Sequence, residues 1–385
     1  MSDDVDKLYP YDPNEIPGIF KLESFGFFCY MNSLLQALVS LSSVNGTLRK
    51  LDTTTARNNL IAEMVKFINN KNQTVPNLPV SNVKSFFQAL KELQHKRGQE
   101  ILQYGTQEDT HEGLTTILDA LGPMVSRHFE IRYVCEIICT DVRCGHRNVP
   151  GDAGKEYTEP SEIMIDLGRT DLELSTQKDV QDYLRRHEQY PRDYRCEKCG
   201  NTNTTRPGPT PKSEVIVAHN VMQRYSLRRL NEVIVLYFKK YNSGGEAKKL
   251  QYFPPALDFK AKQGTLHYEP VAQLDHSGTI RGGHYMARVR RPKPVGFQEM
   301  RDRDMQDQLS DGSLSPDMAA KKQAQLQAWR RAATQKQDIF LLNDTEVKYA
   351  GRITPVENTY MVFYHLVSIL PQTSSSSQAA PATST

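Results

Sequence analysis

From Phe27 to Leu121 the apolar residues recur at helical spacing, and beyond Glu130 the spacing changes to that of strands. Leu34, Leu35, Leu38 and Leu41 predict a helix that opens at Cys29 and meets no Gly or Pro before Gly46. Leu60, Ile61, Met64, Val65, Phe67 and Ile68 predict a second amphipathic helix, Val83, Phe86, Phe87, Leu90 and Leu93 a third, and Leu114, Ile117, Leu118 and Leu121 a fourth. Later, VIVLYF at 233–238 is too apolar for an edge strand and belongs in the centre of a sheet, with strands at 286–289, 340–343 and 361–364 beside it. Residues 176–186 read as a surface helix, and 202–212, which hold Pro207, Pro209 and Pro211, as a turn-rich linker. Helices first and strands later give an α+β class.

The flanks read differently. Residues 1–17 are acidic and proline-bearing, an extended leader without the apolar core of a secretory signal. The segment 291–338 is an insertion. Its first part is polar loop, and 318–335 is a helix with Leu326, Trp329 and Ala333 on one face, solvated or docked on the body or on a protein partner. The tail 371–385, rich in Ser, Thr, Ala and Pro, buries too little apolar surface to fold. No run of about 18 apolar residues crosses a membrane. Forty-eight basic against 45 acidic residues leave +3, too balanced to argue for nucleic acid or an anionic membrane.

Candidate chemistry begins at Cys29, in FFCYMNSLLQAL at 27–38. A helix's first turn carries unpaired N–H groups and the positive end of the dipole, which favour a thiolate. The alternative is a small buried cysteine that packs as a hydrophobe. Far downstream, DHSGTIRGGHYMARVR at 275–290 is a glycine-rich loop leading into a strand that carries His284. Gly282 and Gly283 permit close approach of another backbone, as a threaded polypeptide substrate requires. An apolar strand then ends in Asn343 and Asp344, an amide and a carboxylate able to orient an imidazole. Cys, His and Asn supply nucleophile, base and a group that holds the base in its useful tautomer.

The cysteines elsewhere pair as Cys139 with Cys144 and Cys196 with Cys199, each pair followed by glycine. Two tight knuckles about fifty residues apart are how four thiolates reach a tetrahedral Zn²⁺. His146 is a substitute ligand, the alternative is a pair of knuckles without metal, and Cys135 reads as a strand residue. With six cysteines too unevenly placed for a disulfide scaffold, the compartment is reducing, hence intracellular, cytoplasmic or nuclear.

The Cys29 stretch and residues 276–290 resemble the cysteine and histidine boxes of the ubiquitin-specific proteases, papain-like cysteine deubiquitinases. QEDTHE at 107–112, VIVLYFKKY at 233–241, YFPPALD at 252–258 and YMVFY at 360–364 resemble further landmarks in the family's order. The resemblance runs from about Gly18 to His365. It implies a catalytic domain at 18–370 shaped as a right hand: a helical thumb at about 18–125, zinc-ribbon fingers at about 130–230 and a central β palm at about 231–370. It also implies cleavage after the C-terminal glycine of ubiquitin through a Cys29 thioester, with Gln107, Asp109, Gly282, Gly283 and Tyr285 near the substrate tail and Asp344 supporting the reacting carbonyl. For Asp109 and His111, ordinary capping and packing is the competing reading.

One position departs from that pattern. The family commonly places an oxyanion-binding asparagine five residues before the cysteine, and here Ser24 stands there. Loss of one oxyanion donor can cost about 10²–10³ in rate. Two readings therefore stand: an active deubiquitinase, or a catalytically weak or inactive ubiquitin-binding scaffold of the same fold.

Overall fold

The computed structural model describes residues 18–24, 27–51, 56–72, 80–98, 108–148, 157–159, 162–166, 187–189, 195–208, 214–218, 220–239, 253–261, 264–279, 282–292, 337–350 and 352–371. The expected leader, the helices at 176–186 and 318–335 with Trp329, the tail from 372, and Gln107 lie outside the described residues. Helices come first: α1 (Cys29–Leu38), α2 (Ser42–Leu48), α3 (Ala56–Lys71), α4 (Lys84–Lys96), α5 (Thr110–Leu121) and a single turn α6 (Pro123–Ser126). Strands follow: β1 (Ile131–Cys139), β2 (Arg147–Asn148), β3 (Tyr157–Glu159), β4 (Glu162–Asp166), β5 (His187–Gln189), β6 (Thr204–Pro207), β7 (Glu214–Ala218), β8 (Val221–Leu230), β9 (Val233–Lys239), β10 (Leu257–Ala261), β11 (Gly264–Thr279), β12 (Gly282–Pro292), β13 (Gln337–Asn343), β14 (Glu346–Tyr349) and β15 (Thr359–Leu370). The α+β class holds.

One sheet runs β14-β13-β12-β11-β15-β9-β4, with β10 added on β11. The helices cover one of its faces. Val233, Val235, Tyr237, Tyr285, Ala287, Val289 and Phe340 join the helical core, whereas Ile234, Leu236, Phe238, Tyr268, Val362 and Tyr364 build a second core on the opposite face. That is why β9 reads as an unbroken apolar run: both of its faces are covered. It pairs with β15 on one side and, in parallel, with β4 on the other. The centre of the sheet is instead the hairpin of β11 and β12. Asp275 to Thr279, expected as loop, is therefore the end of a 16-residue strand. A second sheet, β2-β1-β8-β5 with β3 on β1, carries the cysteine knuckles, and β6 pairs with β7 where a linker was expected.

All ten residues of α1 are buried, polar ones included. The helix also stops earlier than its leucine spacing predicts, at Leu38, and Leu41 lies in the turn before α2. No Gly or Pro ends it. Side chains from elsewhere take its last carbonyls: Asn45 Nδ2 donates to Val39 O at 2.8 Å, Lys71 Nζ to the same oxygen at 3.0 Å, and Arg291 Nη2 to Gln36 O at 3.2 Å. Tertiary hydrogen bonds overrode the local pattern there.

Burial, with Arg291 and Arg49 nearby, brings the Lys71 ammonium down to about 7. In the unfolded chain it titrates near 10.4. Between those values the unfolded state binds more protons, so this lysine makes stability rise with pH. Lys71→Met is expected to be more stable than wild type at neutral pH in urea denaturation, with the advantage shrinking as pH is raised from about 7 to about 10.

Candidate active site and metal centre

Cys29 is the first residue of α1, and no side chain caps that helix end. Its neighbours are those a thiolate needs: the backbone amides of Tyr285, Tyr30 and Cys29 itself all favour the anion. Burial acts against them and is the larger effect. Cys29 is 4% exposed, and desolvation, with the Asp344 carboxylate adding to it, pushes the thiol above its ordinary value. The helix terminus alone therefore does not make a thiolate here, contrary to the expectation from position; a base must take the proton.

His284 stands on β12, half-buried, and its Nε2 hydrogen-bonds Asn343 Oδ1 at the end of β13. The amide's orientation is set by its other end, where Nδ2 faces Glu346 Oε2 at 3.4 Å. An amide oxygen only accepts, so Nε2 carries the ring proton and Nδ1 keeps its lone pair. Asn343 and Glu346 are opposite one another across a two-residue turn, Asp344-Thr345, whose first residue has φ 51°. Asp tolerates that left-handed position. The turn thereby fixes the orienting amide and its anchor in one hairpin.

Asp344 is tied back to α1. Asn32, one turn after Cys29 and buried, donates Nδ2 to Asp344 Oδ1 at 2.6 Å and to Glu23 O at 3.2 Å, and the Asp344 carbonyl accepts from Leu22 N at 3.2 Å. Asn32, Glu346 and Tyr360 are site residues that the sequence did not single out. For Asn32 a signal was available: an amide one turn after the candidate nucleophile, in a helix rich in leucine. Ser24 is exposed.

Asp109 is fully engaged. It caps α5 through His111 N at 2.8 Å, and its second oxygen accepts from Tyr360 OH at 2.6 Å. Tyr237 OH lies 3.1 Å from the Tyr360 hydroxyl, and His111 stacks on Tyr237. Tyr285 packs edge-on against Tyr360 and stacks with His276. Burial and the Asp109 charge push the Tyr285 and Tyr360 hydroxyls up, so both stay neutral, and Tyr360 donates to Asp109. Capping, the bland reading of Asp109, is what the geometry displays.

The glycines of the hairpin answer to the fold itself. Gly278 has φ 139°, and a Cβ on it would meet Gly283 Cα at 2.4 Å; a Cβ on Gly283 would meet His276 Nε2 and Ser277 O, each at 2.4 Å. The close backbone approach expected for a substrate is already made by the neighbouring strand.

In the second sheet, β1 ends at Cys139 and two knuckles close around Gly145 and Gly200, with φ 50° and 79°. Gly145 N donates to Asp141 O and Gly200 N to Cys196 O. Asp141 joins the knuckles, accepting from Arg143 N and Asn201 Nδ2, each at 2.9 Å. The sulfurs of Cys139, Cys144, Cys196 and Cys199 all lie within 4.8 Å of one another, with Cys139–Cys199 at 3.6 Å and Cys144–Cys196 at 3.7 Å. A tetrahedron with metal–sulfur bonds of about 2.3 Å has edges of about 3.8 Å. The four cysteines are close enough to bind a metal. The Cys199 and Lys198 amides draw the Cys196 thiol down to about 6, whereas burial pushes the Cys139 and Cys144 thiols up. His146 is not in the cluster; its carbonyl accepts from Cys139 N at 2.8 Å. Cys135 lies in β1.

A helix-borne cysteine, a strand-borne histidine and an amide that orients the imidazole are the groups that cysteine-type hydrolases use. The family model described as ubiquitin carboxyl-terminal hydrolase matches residues 20–364, and the chain belongs to that family, whose members hydrolyse ubiquitin linkages. Among solved structures it is similar to the SAGA DUB module of Ubp8, Sgf11, Sus1 and Sgf73 bound to monoubiquitin, with TM-score 0.58, 16% identity, and coverage of 95% of this chain and 73% of that one. It is also similar to the module bound to ubiquitin aldehyde (TM-score 0.56, 15% identity, 93% and 71% covered) and to a yeast SAGA DUB module carrying an Sgf73 mutant (TM-score 0.53, 17%, 95% and 73%). At such identities the likeness is one of fold. No curated protein matches the chain. Among the described residues, no helix is long and apolar enough to cross a membrane.

Gly283→Ala is expected to lose about 1–3 kcal/mol of stability through forced separation of β11 and β12. Denaturant unfolding checks the loss, and unchanged stability would show that the hairpin yields there.

Proposed function

We propose that the chain is a thiol-dependent deubiquitinase in which Cys29 attacks the carbonyl of the C-terminal glycine of ubiquitin and cleaves the (iso)peptide bond that follows it. The observation that carries this reading is the His284–Asn343 hydrogen bond, which leaves Nδ1 as a base beside a strand whose Tyr285 amide faces the Cys29 sulfur. His284 takes the thiol proton as the sulfur adds to the carbonyl carbon. The oxyanion is met by the Cys29 N–H, by the Ser24 hydroxyl and, through water, by Asp344. Collapse expels the amine, which His284 protonates, leaving the thioester. Water, deprotonated by His284, then releases the ubiquitin carboxylate and restores the thiol.

In this reading the glycine tail of the substrate passes Gly282 and Gly283, where a larger side chain would clash, and roles near the tail for Gln107, Asp109 and Tyr285 rest on the family resemblance. Four thiolates hold a structural Zn²⁺ outside the chemistry, a role that S₄ donor sets favour. That Cys29, Cys139, Cys144, Cys196 and Cys199 form no disulfide suits a reducing, intracellular setting, cytoplasmic or nuclear.

The exposed serine at the oxyanion position favours the second reading, a weak or inactive ubiquitin-binding scaffold. Ubiquitin carrying a thiol-reactive electrophile at its C-terminus separates the two. Wild type is expected to be labelled, Cys29→Ala not at all, and His284→Ala slowly; Ser24→Asn is expected to turn over about tenfold faster or more. A wild type that binds ubiquitin yet stays unlabelled would leave the scaffold. Elemental analysis of the purified chain is expected to give one zinc, and its removal to lower the melting temperature by several degrees, about 1–3 kcal/mol. A metal-free chain of the same stability would refute the zinc role.

A further inference from the structure

Among the described residues Arg291 is the only buried lysine or arginine, at 3% exposed. Nothing in the proposed chemistry uses it. Nη2 donates to Gln36 Oε1 at 2.6 Å and to Gln36 O at 3.2 Å, and Nη1 donates to Ser40 Oγ. Its guanidinium lies 5.9 Å from the Phe20 ring centroid, and its Nε has no partner. All these contacts are neutral. Another cation, Lys71, converges on the same helix end, and burial draws the guanidinium below its ordinary value.

Capping a helix does not require this. A glycine or a solvent-exposed lysine satisfies terminal carbonyls without desolvating a guanidinium. What Arg291 adds is a link between two elements. It follows Tyr285, Ala287 and Val289 on the face of β12 that packs under α1, and His284 opens that strand. Gln36 lies two turns after Cys29. Helix and strand thus meet at two points: near the start of α1, where the Tyr285 amide faces the Cys29 sulfur, and near its end, where Arg291 grips Gln36 and Ser40. Between them the contact is apolar, and apolar packing is non-directional. Without the far anchor, the end of the helix meets β12 through apolar packing alone, which sets no register between the two.

We propose that Arg291 is a positioning residue: its guanidinium fixes the end of the nucleophile helix to the strand bearing His284, and so sets where Cys29 sits against the imidazole. The inference rests on the thiol chemistry above. A misplacement of about 1 Å can lower a rate about 100-fold. The test is full-length enzyme acting on a ubiquitin amide substrate, with active sites counted by electrophile labelling. Arg291→Met is expected to lower kcat about 10- to 100-fold, with KM within about twofold, and to displace the pH profile of kcat/KM. Arg291→Lys, which keeps charge and one donor group, should recover part of the rate. Ser40→Ala removes one acceptor and disturbs the fold least; about a threefold fall in kcat is expected. If Arg291→Met does not fold, Arg291→Lys and Ser40→Ala decide. Variants that melt earlier yet keep the wild-type kcat and pH profile would overturn the proposal. A wild type that is never labelled would fail the thiol chemistry itself, a distinguishable result.

Discussion

Much of the site follows from the fact that α1 has no wet face. A helix buried all round must find partners for every polar group it carries, since an unpaired buried group costs about 1–3 kcal/mol. Asn32, Gln36 and the last carbonyls of α1 are such groups. Their partners come from distant parts of the chain: Asp344 and Glu23 for Asn32, Phe20 and Arg291 for Gln36, Lys71 for Val39 O. The polar atoms of one helix thereby fix the strands that carry His284 and Asn343. Apolar packing alone would give cohesion without register.

The same burial works against the nucleophile. A cysteine at an open helix end gains from three amides, yet loses more by leaving water, and the nearby Asp344 carboxylate adds repulsion. Proton transfer to a base within the site is then the way to a reactive sulfur. The amide of Asn343, turned by Glu346 so that its oxygen meets the imidazole, prepares that base without placing a second negative charge on it.

The residues that were legible in the sequence were those whose pattern is local. Apolar faces at helical spacing marked α3, α4 and α5, and the paired knuckles marked the sulfur cluster. Cys29, His284 and Asn343 stood out by residue type and by resemblance to a family. What could not be read was set by tertiary contact. The end of α1 depends on Asn45, Lys71 and Arg291 rather than on a breaker residue. The glycine-rich stretch looked like a loop because glycine disfavours strands; only the crossing of Gly278 and Gly283 explains why a strand tolerates it. Orientation by Glu346 needed the hairpin register.

A comparable economy governs the second sheet. Its local core consists of Ile137, Cys139, Cys196 and Val221, with Cys144 packed against it, so three of five members are the clustered thiols. So little apolar surface does not hold two knuckles together unaided. The Asp141–Asn201 bridge closes them with neutral–ionic hydrogen bonds, but Asp141 is open to solvent and water competes for both partners. The sulfurs themselves are a liability: four thiols or thiolates a few ångströms apart either repel or remain protonated and poorly paired. A cation at their centre would remove that repulsion and cross-link the two knuckles, and the four sulfurs lie close enough together to bind one.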